Sequence, residues 1–176
     1  MICYRITKYN PLYRNASGAY IEDEWTSYFD IGNVFDGKKL TLKQYLKAEN
    51  SYIETIILFM KFLNLNFLCI TNLEKPNKSI EKNKIYSNEM IKVYEEVHIG
   101  HNVSIPEIEN IARLVLRENL WCKLECQSMY IHFGYEYYMY IGSNIPLTDS
   151  LIEKIEKLGL FVENFESPYL EDEQND

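Results

Sequence analysis

Glycine and proline are scarce in this chain, at 7 and 5 of its 176 residues. Disordered and low-complexity chains are usually rich in these residues, so their scarcity argues against both classes. Hydrophobic residues make up 47% of the chain, which is enough for a sizeable core, and the length fits one domain. We therefore expect a single folded domain over residues 1–170, followed by a disordered acidic tail at residues 171–176.

Long apolar runs and a signal peptide are also missing. The most apolar stretch, residues 52–70, is interrupted by Glu54 and Lys61, whereas a membrane span needs about 20 mostly apolar residues. The first eight residues lack the basic and then apolar pattern of a signal peptide. The four cysteines lie in apolar, strand-like segments, as reduced core residues do. These features predict a cytoplasmic protein that does not associate with membranes.

Catalytic motifs are absent as well: the sequence has no Walker loop, no G-x-G-x-x-G and no G-x-S-x-G. Three histidines leave little from which to build a metal site. Cys122 and Cys126 would lie about 13 Å apart on a strand, too far to share a zinc ion. We therefore expect no enzyme, no metal and no cofactor. The alternative is a site assembled across the fold from scattered His, Glu and Tyr side chains.

Basic residues are missing from the last fourteen positions, which hold six acidic side chains. The whole chain has 26 acidic and 18 basic residues, so the remainder is nearly balanced. Such a local excess of negative charge suggests a basic partner, a solubilising tail, or both. Glu163 and Glu166 differ from the rest, because they fall on a predicted strand and could form a fixed negative strip.

The N-terminal third predicts a strand, a long loop and a helix. Residues 2–8 alternate as a half-buried strand does. Residues 12–40 form a loop of unusual length, which is commonly functional or else contains short strands. Thr41 and Gln44 form a capping-box pattern that predicts a helix over residues 42–63. Residues 67–72 are typical of a core strand.

The remainder alternates between strand and helix patterns. In order, these are a strand at 91–99, a helix opened by a capping box at Ser104 and Glu107, strands at 120–133 and 135–141, a helix capped by Thr148 or Asp149, and a strand at 161–166. The apolar phase changes near Gln127 and Ser128, which predicts a bulge or bend there. The expected fold is α+β: an antiparallel sheet with helices on one face, built on a ferredoxin-like βαββαβ core at about 91–166. An N-terminal β-loop-α-β unit would extend this core.

The 135–141 strand places Tyr138 and Tyr140 on the face opposite Tyr137 and Met139. If helices cover one face of the sheet, these two tyrosines stand on the open face. Aromatic side chains on an open sheet can stack on RNA bases. However, the chain has no basic excess to attract phosphate, so a protein interface is the better interpretation.

The N-terminal residues carry a family resemblance. The block from Tyr4 to Pro11, continuing through residues 18–20, 23–27 and 30–32, resembles the opening of candidate bacterial immunity proteins of polymorphic or contact-dependent toxin systems. The resemblance covers about the first third of the chain and brings no catalytic or binding residue with it. It implies tight protein–protein binding, often over a toxin active site. Toxin nucleases are commonly basic, so an acidic inhibitor would associate quickly with one.

These observations lead to one functional hypothesis and two alternatives. We expect an immunity protein that binds a basic toxin domain, most simply a nuclease, without contacting nucleic acid itself. The alternatives are a small nucleic-acid-processing enzyme or RNA-binding domain, and a regulatory interaction protein. The candidate partner-binding residues are acidic or aromatic: Glu22, Asp23, Glu24, Trp25, Tyr138, Tyr140, Glu163 and Glu166.

Overall fold

The computed structural model describes residues 1–76, 80 and 85–170, so the tail predicted at 171–176 lies outside the described residues. The strands are β1 Ile2–Thr7, β2 Val34–Phe35, β3 Lys38–Lys39, β4 Phe67–Glu74, β5 Asn102–Ser104, β6 Trp121–Glu125, β7 Met129–Phe133, β8 Tyr138–Ser143 and β9 Phe161–Asn164. The α-helices are α1 Leu42–Phe62, α2 Asn88–Glu96, α3 Ile105–Leu116 and α4 Asp149–Lys157.

Seven strands form one antiparallel sheet in the order β5-β4-β6-β7-β8-β1-β9, and β2 and β3 form a separate small hairpin. The helices pack on the large sheet. The predicted α+β class, with an antiparallel sheet and packed helices, is confirmed. The long loop predicted at 12–40 does contain short strands, namely β2 and β3.

The connectivity of the sheet differs from the predicted core. Strands β5 and β6 both pair antiparallel with β4, so they run parallel to each other with β4 between them, and α3 connects them. Strands β8 and β9 flank β1 in the same way and are connected by α4. The sheet thus contains two split βαβ units joined through β7. In each unit the middle strand comes from the N-terminal part of the chain: β4 lies between β5 and β6, and β1 lies between β8 and β9. The sequence predicts instead that these strands lie outside a complete βαββαβ core.

The strand predicted at 91–99 is wrong, because α2 occupies most of that segment. Met90, Tyr94 and Val97 are buried, and their spacing of four and three residues is that of one helix face. The Ser87 hydroxyl accepts a hydrogen bond from the backbone N–H of Met90 and so caps the helix. The short strand β5 stands before α3 instead.

Local sequence signals elsewhere are confirmed. Both predicted capping boxes form, at Thr41 with Gln44 and at Ser104 with Glu107. The bend predicted near residues 127–128 is a reversal of the chain, so the single strand predicted at 120–133 is wrong and this run forms the two paired strands β6 and β7.

One face of the sheet packs against the helices and forms the core. Ile6, Leu68, Ile131 and Ile141 point into it, and α1 lies across them with side chains that include Phe59.

The helix layer also contains a buried ion pair. The Glu49 carboxylate accepts two hydrogen bonds from Arg117, at 2.6 and 2.8 Å, and one from Arg113 at 2.6 Å. These bonds tie α1 to the end of α3.

Candidate functional site

The sheet face away from the helices is partly covered by the C-terminal strap, which we define as residues 165–170. Phe165 packs beside Tyr140, with ring centroids 6.0 Å apart, and Tyr169 lies 6.1 Å from the same ring. Tyr140 is therefore only 7% exposed. The alternation that separates Tyr138 and Tyr140 from Met139 is present, but the expectation that this face stands open is wrong. The strap has no periodic pattern from which its position could have been predicted.

Hydrogen bonds hold the strap in place. Ser167 Oγ lies 2.8 Å from His132 Nδ1, and His132 Nε2 lies 2.7 Å from Glu125 Oε1. Burial lowers the pKa of His132 despite the neighbouring Glu125 carboxylate. The neutral ring therefore donates from Nε2 to Glu125 and accepts at Nδ1 from the Ser167 hydroxyl. Lys123 Nζ donates to the Tyr169 carbonyl at 2.6 Å.

The order Ser167, His132 and Glu125 resembles the nucleophile, base and acid of a hydrolase. The serine is 4% exposed, however, and its oxygen already accepts the backbone N–H of Tyr169 at 3.2 Å. A nucleophile must reach its substrate, and this one is enclosed by the segment that carries it. We interpret the arrangement as a clamp for the strap.

A wide cleft of about 960 Å³ lies at one end of the sheet. Its walls come from six places in the chain: residues 26–27, Tyr52 of α1, the end of β4 with residues 75–76, the end of α3 with the loop that leads into β6, the turn between β7 and β8, and Tyr169 of the strap. The cleft thus collects segments that lie far apart in sequence.

The charge of the cleft is negative. Glu74, Glu118 and Glu136 line it, and Lys75 is the one basic residue among the described lining residues. The Lys75 ammonium donates to the carbonyl of Tyr94 and sits 4.4 Å from the centre of that ring, which holds it in place, and its one positive charge against three carboxylates leaves the cleft with a formal charge of −2. Glu118 and Glu136 are both exposed. The cleft can therefore attract a cationic group.

The turn between β7 and β8 has an uncommon backbone. Glu136 and Tyr137 are consecutive non-glycine residues with positive φ, at 55° and 62°. Turns with two positive φ values normally carry Asn-Gly or a similar pair, because a larger side chain costs about 1–2 kcal/mol there. Observed strain of this kind clusters at functional sites.

The packing of Tyr137 explains how this turn is maintained. Its ring centroid lies 4.8 Å from that of Trp25, and its hydroxyl donates to the Leu116 carbonyl at 2.8 Å. The Tyr52 hydroxyl donates to the Tyr137 carbonyl at 2.6 Å. Tyr135, at the rim of the cleft, is left 86% exposed.

The eight predicted partner-binding residues are scattered. Tyr138 is the one among them that lines the cleft, and its hydroxyl accepts a hydrogen bond from Arg14 at 3.0 Å. Trp25 is in the core, where it supports Tyr137.

The acidic candidates also differ among themselves. Glu163 accepts two hydrogen bonds from Arg5, at 2.9 and 2.8 Å, so the arginine already balances its negative charge. Strand β9 ends before the exposed Glu166, so the predicted strip of two like charges does not form. Glu24 lies 3.2 Å from Lys8. The Asp23 carboxylate accepts a backbone N–H, and Glu22 is exposed.

Sequence reasoning missed the carboxylates and the exposed tyrosine of the cleft, namely Glu74, Glu118, Tyr135 and Glu136. One available signal was the short connection from Gly134 to Tyr137, which joins two strands without the expected Asn or Gly pair. Glu74 ends β4 and Glu118 follows α3, and nothing in the sequence around either residue indicates a binding site.

The three histidines do not converge. His132 lies beneath the strap, whereas His98 and His101 neighbour each other before β5, where His101 lies 3.4 Å from Glu107. Within residues 1–76, 80 and 85–170, no three His, Cys, Asp or Glu side chains are grouped so that they could hold a metal ion. None of the helices in the same residues has the length and apolarity needed to cross a membrane.

Comparison of the chain with models of protein families, with curated proteins and with solved structures gave no match.

Proposed function

We propose that this protein is an immunity protein, which binds a cognate basic toxin domain in the bacterial cytoplasm and neutralises it by protein–protein contact. The observation that carries the proposal is the cleft, in which three carboxylates and the exposed Tyr135 face solvent together. The resemblance of the N-terminal third to candidate immunity proteins points in the same direction.

The chemistry of the cleft suits a basic protein partner. Complementary charge raises association rates and rejects acidic partners. Tyrosine is among the residues that most often dominate binding energy at interfaces. A nuclease toxin must present cationic side chains to bind phosphate. An acidic inhibitor seated on that surface would block the substrate without catalysing anything.

Nucleic-acid binding fits the same surface less well. The carboxylates of the cleft would repel phosphate, which dominates the affinity of nucleic-acid complexes. The aromatic sheet face that could stack on bases is covered by the strap, with Tyr140 buried beneath it. These two features favour a protein partner.

The test is to co-express the protein with the product of the neighbouring open reading frame. We expect a 1:1 complex in size-exclusion chromatography and protection of cells from that product. Association should slow as salt is added. Failure to bind or to protect against any neighbouring product would overturn the proposal, and RNA binding with a steep salt dependence would favour the alternative.

A pair of matched variants tests the role of the cleft. Glu118→Gln with Glu136→Gln removes two charges from the cleft, whereas Glu153→Gln with Glu156→Gln removes two exposed charges from α4. We expect the first pair to lower the association rate about tenfold and the second to change it much less. Equal effects would show that net charge alone matters and would remove the cleft from the proposal.

A further inference from the structure

We infer that the anchor turn, defined as residues 134–138, is a preorganised binding element that inserts Tyr135 into an apolar recess of the partner. The recess is ringed by Lys or Arg side chains that pair with Glu136 and Glu118. This inference rests on the proposed function and specifies how the same cleft is used.

The anchor turn is rigid, because hydrogen bonds close it on itself and to its surroundings. The backbone N–H of Gly134 donates to the Tyr138 carbonyl at 2.7 Å, and that of Tyr138 donates to the Tyr135 carbonyl at 3.1 Å. A Cβ atom on Gly134 would lie 2.9 Å from the Tyr138 carbonyl oxygen, so the chain closes too tightly there for a side chain. From below, Tyr137 is held by Leu116 and Tyr52.

Rigidity matters because ordering a flexible loop on binding reduces affinity. Immobilising a side chain on binding costs free energy, and a preformed turn avoids part of that cost. Because its backbone is held by these hydrogen bonds, the turn keeps the same conformation before and after binding and presents Tyr135 to the partner. This is the behaviour expected of an interface anchor.

The strained position in the turn holds a glutamate, which is not the residue that its backbone conformation favours. Glycine or asparagine would occupy the Glu136 position with less strain, because its φ is 55°. Nothing in the turn uses the Glu136 carboxylate as a structural partner among the hydrogen bonds and ion pairs of the described residues. A strained residue whose side chain faces solvent at the rim of a cleft is better explained by binding than by folding.

The side chains at and beside the turn indicate the chemistry of the partner. Tyr135 offers a large, stiff surface with a polar tip, which fills an apolar recess that opens to solvent. Glu136 is its sequence neighbour, and Glu118 lines the same cleft, where the Ser27 hydroxyl donates to its carboxylate at 2.5 Å. Two carboxylates beside one aromatic anchor match cations around a recess, and they disfavour a nucleic-acid base that carries phosphate with it.

Binding of the Tyr135→Ala variant to the product of the neighbouring open reading frame tests the inference. We expect the dissociation constant to rise about 100-fold, mostly through faster dissociation. The melting temperature should hold, because the side chain is 86% exposed. Leu12→Ala is the matched control, since Leu12 is equally exposed but does not line the cleft. Its dissociation constant should change less than about threefold.

A second variant tests the strain directly. Glu136→Gly should raise the melting temperature by about 2–4 °C, because it relieves the left-handed residue. The same change should weaken binding, since it removes the carboxylate. If Glu136→Gly does not raise the melting temperature, the strain argument is wrong.

The two levels of the proposal fail in different ways. If the wild-type protein binds and Tyr135→Ala binds equally well, the anchor is wrong and the proposed function stands. If the wild-type protein binds no neighbouring product, the proposed function itself fails.

Discussion

The two faces of the large sheet are covered in different ways. The helices cover one face, and the side chains between them are almost all apolar, as Ile6, Phe59 and Ile131 illustrate. The strap covers part of the other face with six residues. Beneath it lie Lys123, Glu125, His132 and other polar or aromatic side chains, of which Lys123 and His132 are buried.

This difference separates two sources of stability. Burial of apolar side chains is non-directional and adds up over a large area. Under the strap, each buried polar group must find its own partner, because an unsatisfied one costs about 1–3 kcal/mol. The helix-covered face should therefore set the global stability. The strap should behave as a unit that depends on a few hydrogen bonds.

The largest expected effect is on the helix-covered face. Phe59 is fully buried, and Phe59→Ala should lower the free energy of unfolding by about 3–5 kcal/mol, since it leaves a cavity. Phe29→Ala is the control, because Phe29 is 71% exposed, and it should change stability by less than about 0.5 kcal/mol. Urea denaturation measures both. A loss near that of the control would mean that this face is not the main source of stability.

An intermediate effect is expected for the strap. Deletion of residues 167–176 removes the bonds from Ser167 to His132 and from Lys123 to Tyr169. We expect a loss of about 2–4 kcal/mol, since two buried groups lose their partners. The fluorescence of Trp121 should also change, because its ring centroid lies 5.7 Å from that of Tyr169.

Deletion of residues 171–176 alone is the control for the strap. It leaves both bonds in place and should change stability by less than about 0.5 kcal/mol. If the short and long deletions destabilise equally, the strap bonds contribute little and the comparison between the faces is wrong.

The smallest effect concerns a charge on the helix-covered side. The Lys8 ammonium lies 4.0 Å from the Trp25 ring centroid and 4.1 Å from that of Tyr9, and burial lowers its pKa to about 8. The unfolded chain keeps this proton up to a pH near 10.5, whereas the folded protein releases it near pH 8. The burial cost is therefore fully present below pH 8 and is relieved as the pH rises from 8 to 10.5.

Lys8→Met removes that titration while keeping an unbranched side chain between the rings. Between pH 7.5 and 9.5, the wild-type protein should gain about 1–2 kcal/mol relative to the variant. Paired denaturation curves at the two values measure the difference, and other groups that titrate in both proteins cancel. A constant difference would show that Lys8 keeps an ordinary pKa.

Much of the local structure could be predicted, because its causes are local. The capping boxes, the helix α1 and the strands β1 and β4 depend on residues a few positions apart. The sequence predicts the segment of α2 wrongly as a strand, because a short apolar stretch fits both the helix and the strand period. The packing of this segment, which buries Met90 and Tyr94 on one face, is what favours the helix over a strand.

The candidate site could be predicted only in part. Tyr138 was found because it alternates along a strand, and alternation is visible in sequence. Glu74, Glu118 and Glu136 end or connect different elements, so their meeting depends on the order of the strands. The sequence predicts that Trp25 and Glu163 lie at the surface and bind a partner. In the structure, Trp25 is part of the core and Glu163 is paired with Arg5.

The sequence by itself determined the class of this protein: an α+β domain whose antiparallel strands and capped helices follow from periodicity and capping residues. It also determined that negative charge exceeds positive charge, by 26 residues to 18. The tertiary structure decided where β1 and β4 enter the sheet, which face the strap covers and which carboxylates share a cleft. These are pairings between distant segments, and their free energy depends on all the segments that pack around them. A local sequence pattern determines only the structure of its own segment.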